Sequence, residues 1–462
     1  MTSPLPFEEV LGQFKDLYEK NFDGQLSELF ISSAERMVLK ANSSGEASEE
    51  LYRQAQEWSE EKKIKIMTED IPSGILPQGY SGILSDIRVQ SHAADDEIYF
   101  QNPDIQKKIP RGACLMKLQG ETSWFDMVLY ANKKFTGGVG DEDESQPESN
   151  EAWRKYCLSS PDSASLVVGM TKLNGEAAHF SGRFINDQFF IITGSKNVHI
   201  LIRNEDDIDK YEGERYIVAK QVATAVCKTL TRLEEKHRHL VYSFLHHTKC
   251  TAVCEILQPN YQHIVNLSHL EEPQLNVITF TSTLSNETES SLTALPPHYT
   301  LEVLSALGFS SPSFSTVLPK DMASHQHKIK RMLNSEGEVL YYLNDKGETI
   351  GMAKVKSMWY IMLRALREKA IFCFLGAKRR NNWSMESMIR LTTKRFGEIQ
   401  EWLNFSDDYH DKWKNLGELF LKWLEKEIDE KRVSERNIQP QFPLLWERFL
   451  RETHKSDTFI SS

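Results

Sequence analysis

Apolar side chains recur at helical spacing near both ends of the chain, whereas the middle contains short apolar runs typical of strands. Residues 7–18 and 26–39 carry the helical pattern, and the chain becomes helical again from Trp359 onward. Residues 165–170 form a short apolar run, which predicts a buried strand. The pattern therefore indicates a β-rich centre between two helical regions.

Two hairpins and one further strand are predicted in this centre. Residues 179–184 and 188–193 flank Asn186-Asp187, a pair that favours a tight reversal. Residues 337–342 and 349–355 flank an Asn-Asp-Lys-Gly turn. Residues 251–257 predict a strand, apolar except for one glutamate. In contrast, the richness of residues 279–316 in Ser, Thr and Pro indicates a surface insertion.

These elements predict an α+β fold in three parts. Residues 1–73 are expected to form an N-terminal helical region, and residues 74–365 a domain that contains the strands. Residues 366–462 are expected to form an all-α C-terminal domain. Its Trp and Phe residues lie at helical spacing, which is more typical of a packed core than of a ligand platform.

Composition narrows the class of protein. The formal net charge of -11 over 462 residues argues against a uniformly basic, nucleic-acid-binding surface. Basic residues outnumber acidic ones between residues 320 and 380, which is compatible both with a face that follows a nucleic-acid backbone and with an ordinary solvated surface. No apolar run could span a bilayer, no secretory signal is visible, and 6 cysteines in this length indicate reduced thiols.

From this composition we expect a cytoplasmic or nuclear protein with no membrane partner. The oligomeric state does not follow from the sequence, and our expectation is a monomer.

Lys172 is the first candidate for chemistry. It follows the predicted strand and precedes a turn at Gly175, although a lysine at a strand end more often points into water. A neutral lysine amine can attack the α-phosphate of a nucleotide and form a phosphoramidate. Free lysine has a pKa of about 10.4, so it needs neighbouring cations to lose its proton. Lys354 and Lys356, which face the same side of a predicted strand, could supply them.

Two carboxylates complete the set of residues that nucleotidyl transfer requires. Glu255 lies inside an apolar strand, where an isolated charge would be costly, and Glu336 opens the second hairpin. Both could position Mg²⁺ or Mn²⁺, which would offset charge on the attacked phosphate.

In their order along the chain, these residues resemble the motifs of the covalent nucleotidyltransferase superfamily of ligases and capping enzymes. They look most like ATP-dependent RNA ligases of the bacteriophage tRNA-repair type. The family usually has aspartate where this chain has Asn174. The similar segments are Arg111-Gly112, Lys134-Phe135, Lys172-Leu173-Asn174-Gly175, Gly194-Ser195-Lys196-Asn197, the strand through Glu255, Glu336-Gly337-Glu338-Val339 and Lys354-Val355-Lys356.

The resemblance implies an adenylyltransferase domain of the ligase type, built on ATP-grasp-like antiparallel sheets, with N-terminal helices and an all-α C-terminal domain that helps to choose the RNA. It implies ATP and Mg²⁺ (or Mn²⁺) as cofactors, Lys172 as the catalytic residue, and Glu255 and Glu336 as metal ligands. The implied nucleotide-binding residues are Arg111, Lys134, Asn174, Gly175, Lys196, Glu255, Glu336, Lys354 and Lys356.

The implied function is ligation of RNA with 5′-phosphate and 3′-hydroxyl ends through a lysyl-AMP intermediate, with RNA/DNA hybrids as further substrates. The basic residues Lys378, Arg379 and Arg380 are expected to contact the nucleic acid. Two alternatives stay open. One is a catalytically silent nucleic-acid-binding relative, which Asn174 favours. The other is a different nucleotidyltransferase such as a capping enzyme, which the helical tail disfavours.

Overall fold

The computed structural model describes residues 3–90, 95–120, 123–138, 151–377 and 384–458. This part of the chain combines α-helices with three antiparallel sheets and ends in a helical region, which confirms the predicted α+β class. None of the helices in these ranges is both long enough and apolar enough to cross a membrane.

The strands form three sheets with different relations to the chain order. The first sheet has the order β1-β2-β3-β4, with β1 (Ile64–Asp70), β2 (Ser81–Val89), β3 (Ala113–Gln119) and β4 (Trp124–Tyr130). The second sheet contains β6 (Glu176–Ile185), β7 (Gln188–Gly194), β8 (His199–Ile202), β9 (Thr251–Leu257) and β10 (Gln274–Thr281), in the order β10-β9-β6-β7-β8. The third sheet contains β5 (Leu166–Thr171), β11 (Phe314–Val317), β12 (Gly337–Leu343) and β13 (Thr349–Lys356), in the order β11-β5-β12-β13.

The helices lie before, between and after these strands. They are α1 (Phe7–Asn21), α2 (Glu28–Asn42), α3 (Ser44–Glu60), α4 (Asp95–Gln101), α5 (Pro103–Lys108), α6 (Ile217–Arg232), α7 (Glu235–Thr248), α8 (Pro297–Leu307), α9 (Met322–Lys330), α10 (Met358–Ile371), α11 (Met385–Leu403), α12 (Asp407–Asp429) and α13 (Phe442–Thr453).

Both predicted hairpins are present. Strands β6 and β7 pair up to Ile185–Gln188, and the turn residues Asn186 and Asp187 have φ values of 49° and 59°. A two-residue turn of this hand matches the twist of the flanking strands, and Asn and Asp tolerate the left-handed backbone it needs. Strands β12 and β13 form the second hairpin, and β9 has the bounds that the sequence predicted.

The prediction of a surface insertion at residues 279–316 is wrong. This stretch contains the end of β10, the helix α8 and the edge strand β11, and Leu295, Leu301 and Leu304 are buried in it. Its polar residues are accommodated by local bonds, since the hydroxyls of Thr293 and Thr300 donate to backbone carbonyls. Hydrogen-bonded hydroxyl side chains can therefore be buried at a lower free-energy cost than their hydropathy suggests.

Helices α1 and α2 pack on α7, and α3 packs on β1 and β4. The rings of Phe14 in α1 and Phe244 in α7 lie 5.4 Å apart, edge to face. Strand β1, which belongs to the predicted region 1–73, pairs along its whole length with β2. The main core is shared by the first helices, the second sheet and helices α6 to α8.

Helix α10 joins the third sheet to the C-terminal helices, and the predicted boundary between residues 365 and 366 falls inside it. Trp359 and Tyr360, in its first turn, belong to the same buried cluster as Trp446 of α13. The buried carboxylate of Asp457 accepts the indole N–H groups of both Trp359 and Trp446, each at 2.8 Å. One carboxylate near the end of the described chain therefore links α10 to α13.

Replacing Asp457 with Ala should destabilise the protein by on the order of 2 kcal/mol, because two buried indole N–H groups lose their acceptor. Urea denaturation monitored by tryptophan fluorescence measures the free energy of unfolding. Asp411→Ala is the matched control, since Asp411 lies on α12 with 73 % of its side chain exposed. Equal stability of the two variants would contradict the assigned role of Asp457.

Candidate active site

Lys172 lies where the chain leaves the third sheet and enters the second. Strand β5 ends at Thr171, and the backbone N–H of Lys172 donates to the carbonyl of Gly337 at 2.9 Å. The Lys172 side chain is 21 % exposed, and its Nζ lies 2.8 Å from Oε1 of Glu336. The ammonium group is thus paired with a carboxylate, which explains how a lysine can stand beside a buried strand.

The chain that follows Glu336 holds it in place. Gly337 has a φ of 123°, and a Cβ at this position would lie 2.1 Å from the carbonyl oxygen of Val355, so glycine is required here. The carbonyl of Glu336 accepts the N–H of Ser357, whose hydroxyl caps α10. The Glu336 side chain is buried, so its carboxylate is fixed against Lys172.

Asn174 uses both ends of its amide. Its Oδ1 accepts the backbone N–H groups of Ile264 and Val265, at 2.9 and 3.0 Å, and its Nδ2 donates to Oε2 of Glu336 at 2.6 Å. An ionised aspartate could accept from the same N–H groups, but it would oppose a second carboxylate instead of donating to it. An asparagine at this position therefore has a physical basis in the contact with Glu336.

Gly175 and Glu255 connect the turn to β9. The N–H of Gly175 donates to Oε1 of Glu255 at 3.0 Å, and a Cβ at Gly175 would lie 2.3 Å from the carbonyl oxygen of Ile256. Burial raises the pKa of Glu255 to about 7; Lys172 opposes this rise and Glu336 adds to it. The Glu255 carboxyl group is therefore partly protonated at neutral pH.

Lys354 and Lys356 lie on β13, beside this network. Gly337 pairs with Lys356 in the β12–β13 ladder, so Lys172, Gly337 and Lys356 form a row across three strand positions. The Nζ of Lys356 lies 5.7 Å from the centre of the Tyr360 ring. Lys354, two residues earlier, faces the same side of the strand.

Residues 134–137 run along the outer edge of β13. The N–H of Lys354 donates to the carbonyl of Thr136 at 3.2 Å, and its Nζ lies 5.2 Å from the centre of the Phe135 ring. Lys134 is buried at the same edge. Lys134, a predicted nucleotide-binding residue, therefore lies beyond Lys354 at the β13 edge of the sheet, across β12 from Lys172.

Two other predicted nucleotide-binding residues, Arg111 and Lys196, lie outside the strands. The N–H of Arg111 donates to the carbonyl of Asn132, just before β3. Lys196 follows β7 in a turn that a hydrogen bond from Ser195 to Val198 closes. Their side chains are partly buried, and the bonds described above do not join them to the network around Lys172. The predicted nucleic-acid contacts Lys378, Arg379 and Arg380 lie outside the described residues.

His263 belongs to the site but carries no signal in the sequence pattern. It precedes Ile264, which donates to Asn174, and its buried Nε2 has no hydrogen-bond partner among the described residues. Burial and, to a lesser extent, Arg367 lower the pKa of His263, and the negative charge of Glu336 opposes them. The imidazole of His263 is therefore neutral beside this network. A single histidine in a loop has no periodicity that could reveal it.

A second buried polar cluster lies between the first and second sheets. Asp86 contacts Nδ1 of His199 at 2.7 Å and accepts from Arg215 at 2.7 Å, and Cys114 is the ladder partner of Asp86. Ligand atoms of Asp86, Cys114 and His199 lie within 4.8 Å of one another, and these residue types bind zinc. Because Arg215 already compensates the charge of Asp86, we assign the cluster the structural role of joining β2 to β8.

Glu255 and Glu336 are the residues beside Lys172 that fit a divalent cation. Their carboxylate oxygens are the donors that Mg²⁺ and Mn²⁺ prefer. Glu336 already contacts Lys172 and Asn174. It would have to release one of these partners, or share an oxygen, when a cation binds.

A family model described as a domain of unknown function (DUF7920) matches residues 150–367. The matched segment contains the five residues Lys172, Glu255, Glu336, Lys354 and Lys356, whereas Arg111 and Lys134 precede it. No curated protein and no solved structure matches the chain.

Replacing Glu255 with Gln should remove one pH dependence of stability. The pKa of Glu255 is about 7 in the folded protein, against an ordinary value of 4.5, so the unfolded chain loses this proton first as the pH rises. Wild type therefore loses stability through this group between these two pKa values, and Glu255→Gln does not. Guanidinium denaturation at about pH 5 and about pH 8, with a chelator present, measures the free energy of unfolding. Relative to wild type, Glu255→Gln should be more stable at the higher pH than at the lower one.

Glu401→Gln serves as the control for this experiment, because Glu401 is exposed on α11. Its stability should follow that of wild type at both pH values. If Glu255→Gln also runs parallel to wild type, Glu255 does not titrate with a raised pKa.

Changing Asn174 to Asp should destabilise the protein, although it restores the residue usual in the resembling family. The new carboxylate would replace an amide donor 2.6 Å from Glu336, and we expect a loss on the order of 2 kcal/mol at neutral pH. Asn266→Asp is the control, since Asn266 only accepts the N–H of Ser268 in a turn. Thermal melting of both variants measures the effect, and equal melting temperatures would contradict it.

Proposed function

We propose that the protein is an ATP-dependent RNA ligase that joins 5′-phosphate and 3′-hydroxyl ends through a lysyl-AMP intermediate. The observation that carries the proposal is the turn 172–175 where two sheets meet, in which Lys172 and Asn174 contact Glu336 and the N–H of Gly175 donates to Glu255. A lysine nucleophile between two carboxylates is what transfer of a nucleotide through a phosphoramidate requires.

In the first step, the amine of Lys172 attacks the α-phosphorus of ATP. An N–P bond forms, the P–O bond to pyrophosphate breaks, and the ammonium gives up two of its three protons, one to a neighbouring base and one to solvent. Glu336, in direct contact with Nζ, is placed to orient the amine and to accept a proton. Lys354 and Lys356, on strand β13, would bind the phosphates.

In the second step, the 5′-phosphate of the RNA attacks the same phosphorus, the N–P bond breaks and Lys172 takes up a proton. In the third, the 3′-hydroxyl attacks the 5′-phosphate, a phosphodiester forms and AMP leaves. Glu255 and Glu336 would hold Mg²⁺ or Mn²⁺, which supplies positive charge at the reacting phosphate.

The contacts of Asn174 weaken the case for a catalytically silent relative, which rested on the change from aspartate to asparagine. Here the amide of Asn174 joins the Lys172–Glu336 pair to the backbone at Ile264 and Val265. The polar network is thus kept intact around the candidate nucleophile, at a buried position where an unsatisfied group would be costly.

Incubation with α-labelled ATP and Mg²⁺, followed by denaturing electrophoresis, should reveal a covalent protein–AMP adduct. Mass spectrometry should locate AMP on Lys172, and Lys172→Ala should abolish labelling because alanine cannot form the N–P bond. Lys414→Ala, at an exposed position of α12, should label like wild type.

Three outcomes would contradict the proposal in different ways. AMP on another lysine would remove Lys172 from the mechanism. Labelling by GTP in place of ATP would indicate a capping type of nucleotidyltransferase. No labelling by either nucleotide, with a folded protein, would indicate the silent relative.

A further inference from the structure

A cleft of about 610 Å³ lies beside the segment 134–137. Its walls come from separate parts of the chain: the end of α2, the end of α5, the loop after β4, residues 155–158 and the loop 282–289. Five lysines line it, Lys40, Lys107, Lys108, Lys133 and Lys155, against three glutamates. A basic lining is unusual in a chain with a net charge of -11.

The cleft extends to the edge of the third sheet. A smaller pocket shares Tyr130, Lys133 and Leu292 with it and reaches Phe135 and Met352, the latter on β13. The ammonium of Lys354 lies 5.2 Å from the centre of the Phe135 ring. The smaller pocket therefore lies next to Lys354, on the edge strand of the sheet to which Lys172 is joined.

In-line phosphoryl chemistry gives this side of the site a role. The attacking and leaving groups lie on opposite sides of the reacting phosphorus. When Lys172 attacks, pyrophosphate leaves from the far side, and the next nucleophile must then approach from that same far side. Lys354, Lys134 and the cleft lie at the β13 edge of the third sheet, across β12 from Lys172.

We propose that this cleft binds the phosphate backbone behind the 5′ end of a single-stranded RNA and guides its terminal phosphate towards Lys172. The inference rests on the proposed function for the direction of approach. The binding itself rests on the lining, whose lysines supply cations for the phosphates. The ammonium of Lys155 already lies 3.7 Å from the centre of the Phe100 ring and 5.1 Å from that of Tyr156.

The test uses the full chain and a 5′-phosphorylated RNA of about 20 nucleotides, a length on the scale of a single-strand binding site. In the double variant Lys107→Glu, Lys155→Glu, both positions are exposed, so the fold is expected to persist. RNA affinity should fall about tenfold or more, and the slope of log affinity against log salt should decrease by about 1.4 for two lost contacts. The matched control is Lys414→Glu, Lys426→Glu, at exposed positions of α12.

The two proposals fail in distinguishable ways. The cleft variant should still form lysyl-AMP from ATP, because that step needs no RNA, but should transfer AMP to RNA more slowly than the control variant. RNA binding and AMP transfer equal to the control would overturn the assignment of the cleft. If the cleft variant loses binding to poly-glutamate but binds RNA like the control, the cleft recognises an acidic peptide and the assignment is overturned. If wild type forms no lysyl-AMP while the cleft variant still loses RNA affinity, the cleft assignment stands as an RNA site and the ligase proposal falls.

Discussion

The buried carboxylate of Glu336 is the constraint on which the candidate site depends. An isolated charge that is only 4 % exposed would be very costly, so other elements must supply its partners. The ammonium of Lys172 and the amide of Asn174 do so, and both belong to the turn that leads from β5 to β6. The carboxylate therefore fixes where the second sheet starts relative to the third. Through the bond from Ser357 to its carbonyl, the same residue also sets the start of α10.

Local patterns predicted the strands of the site but not their neighbours. The apolar run before Lys172 and the Asn186-Asp187 turn act over a few residues, so a window of sequence contains their cause. That β5 lies between β11 and β12 depends on packing over long separations, which periodicity does not encode. Asn174 is a similar case. Its departure from aspartate is visible in the sequence, but the N–H groups that explain its orientation lie 90 and 91 residues away. The cleft lysines were missed because they meet only in the folded chain.

One helix, α10, joins the C-terminal helices to the candidate active site. Helix α10 begins directly after Lys356, and its first turn contributes Tyr360 beside Asn174 and Trp359 beside Asp457. The predicted boundary at residue 366 divides this helix, although its residues from Trp359 onward already pack with the C-terminal helices. The C-terminal region and the site therefore share a rigid element, and a displacement of either would be transmitted to the other.

The raised pKa of Glu255 has a thermodynamic consequence for whatever binds beside it. Near neutral pH this carboxyl group holds a proton part of the time, whereas coordination of a cation requires the ionised form. Filling the site would therefore expel a fraction of a proton into solution. The heat of binding would then vary with the ionisation enthalpy of the buffer, and affinity would climb with pH until Glu255 is fully ionised. If a cation binds there, the protonation of Glu255 in β9 would therefore make its occupancy depend on pH.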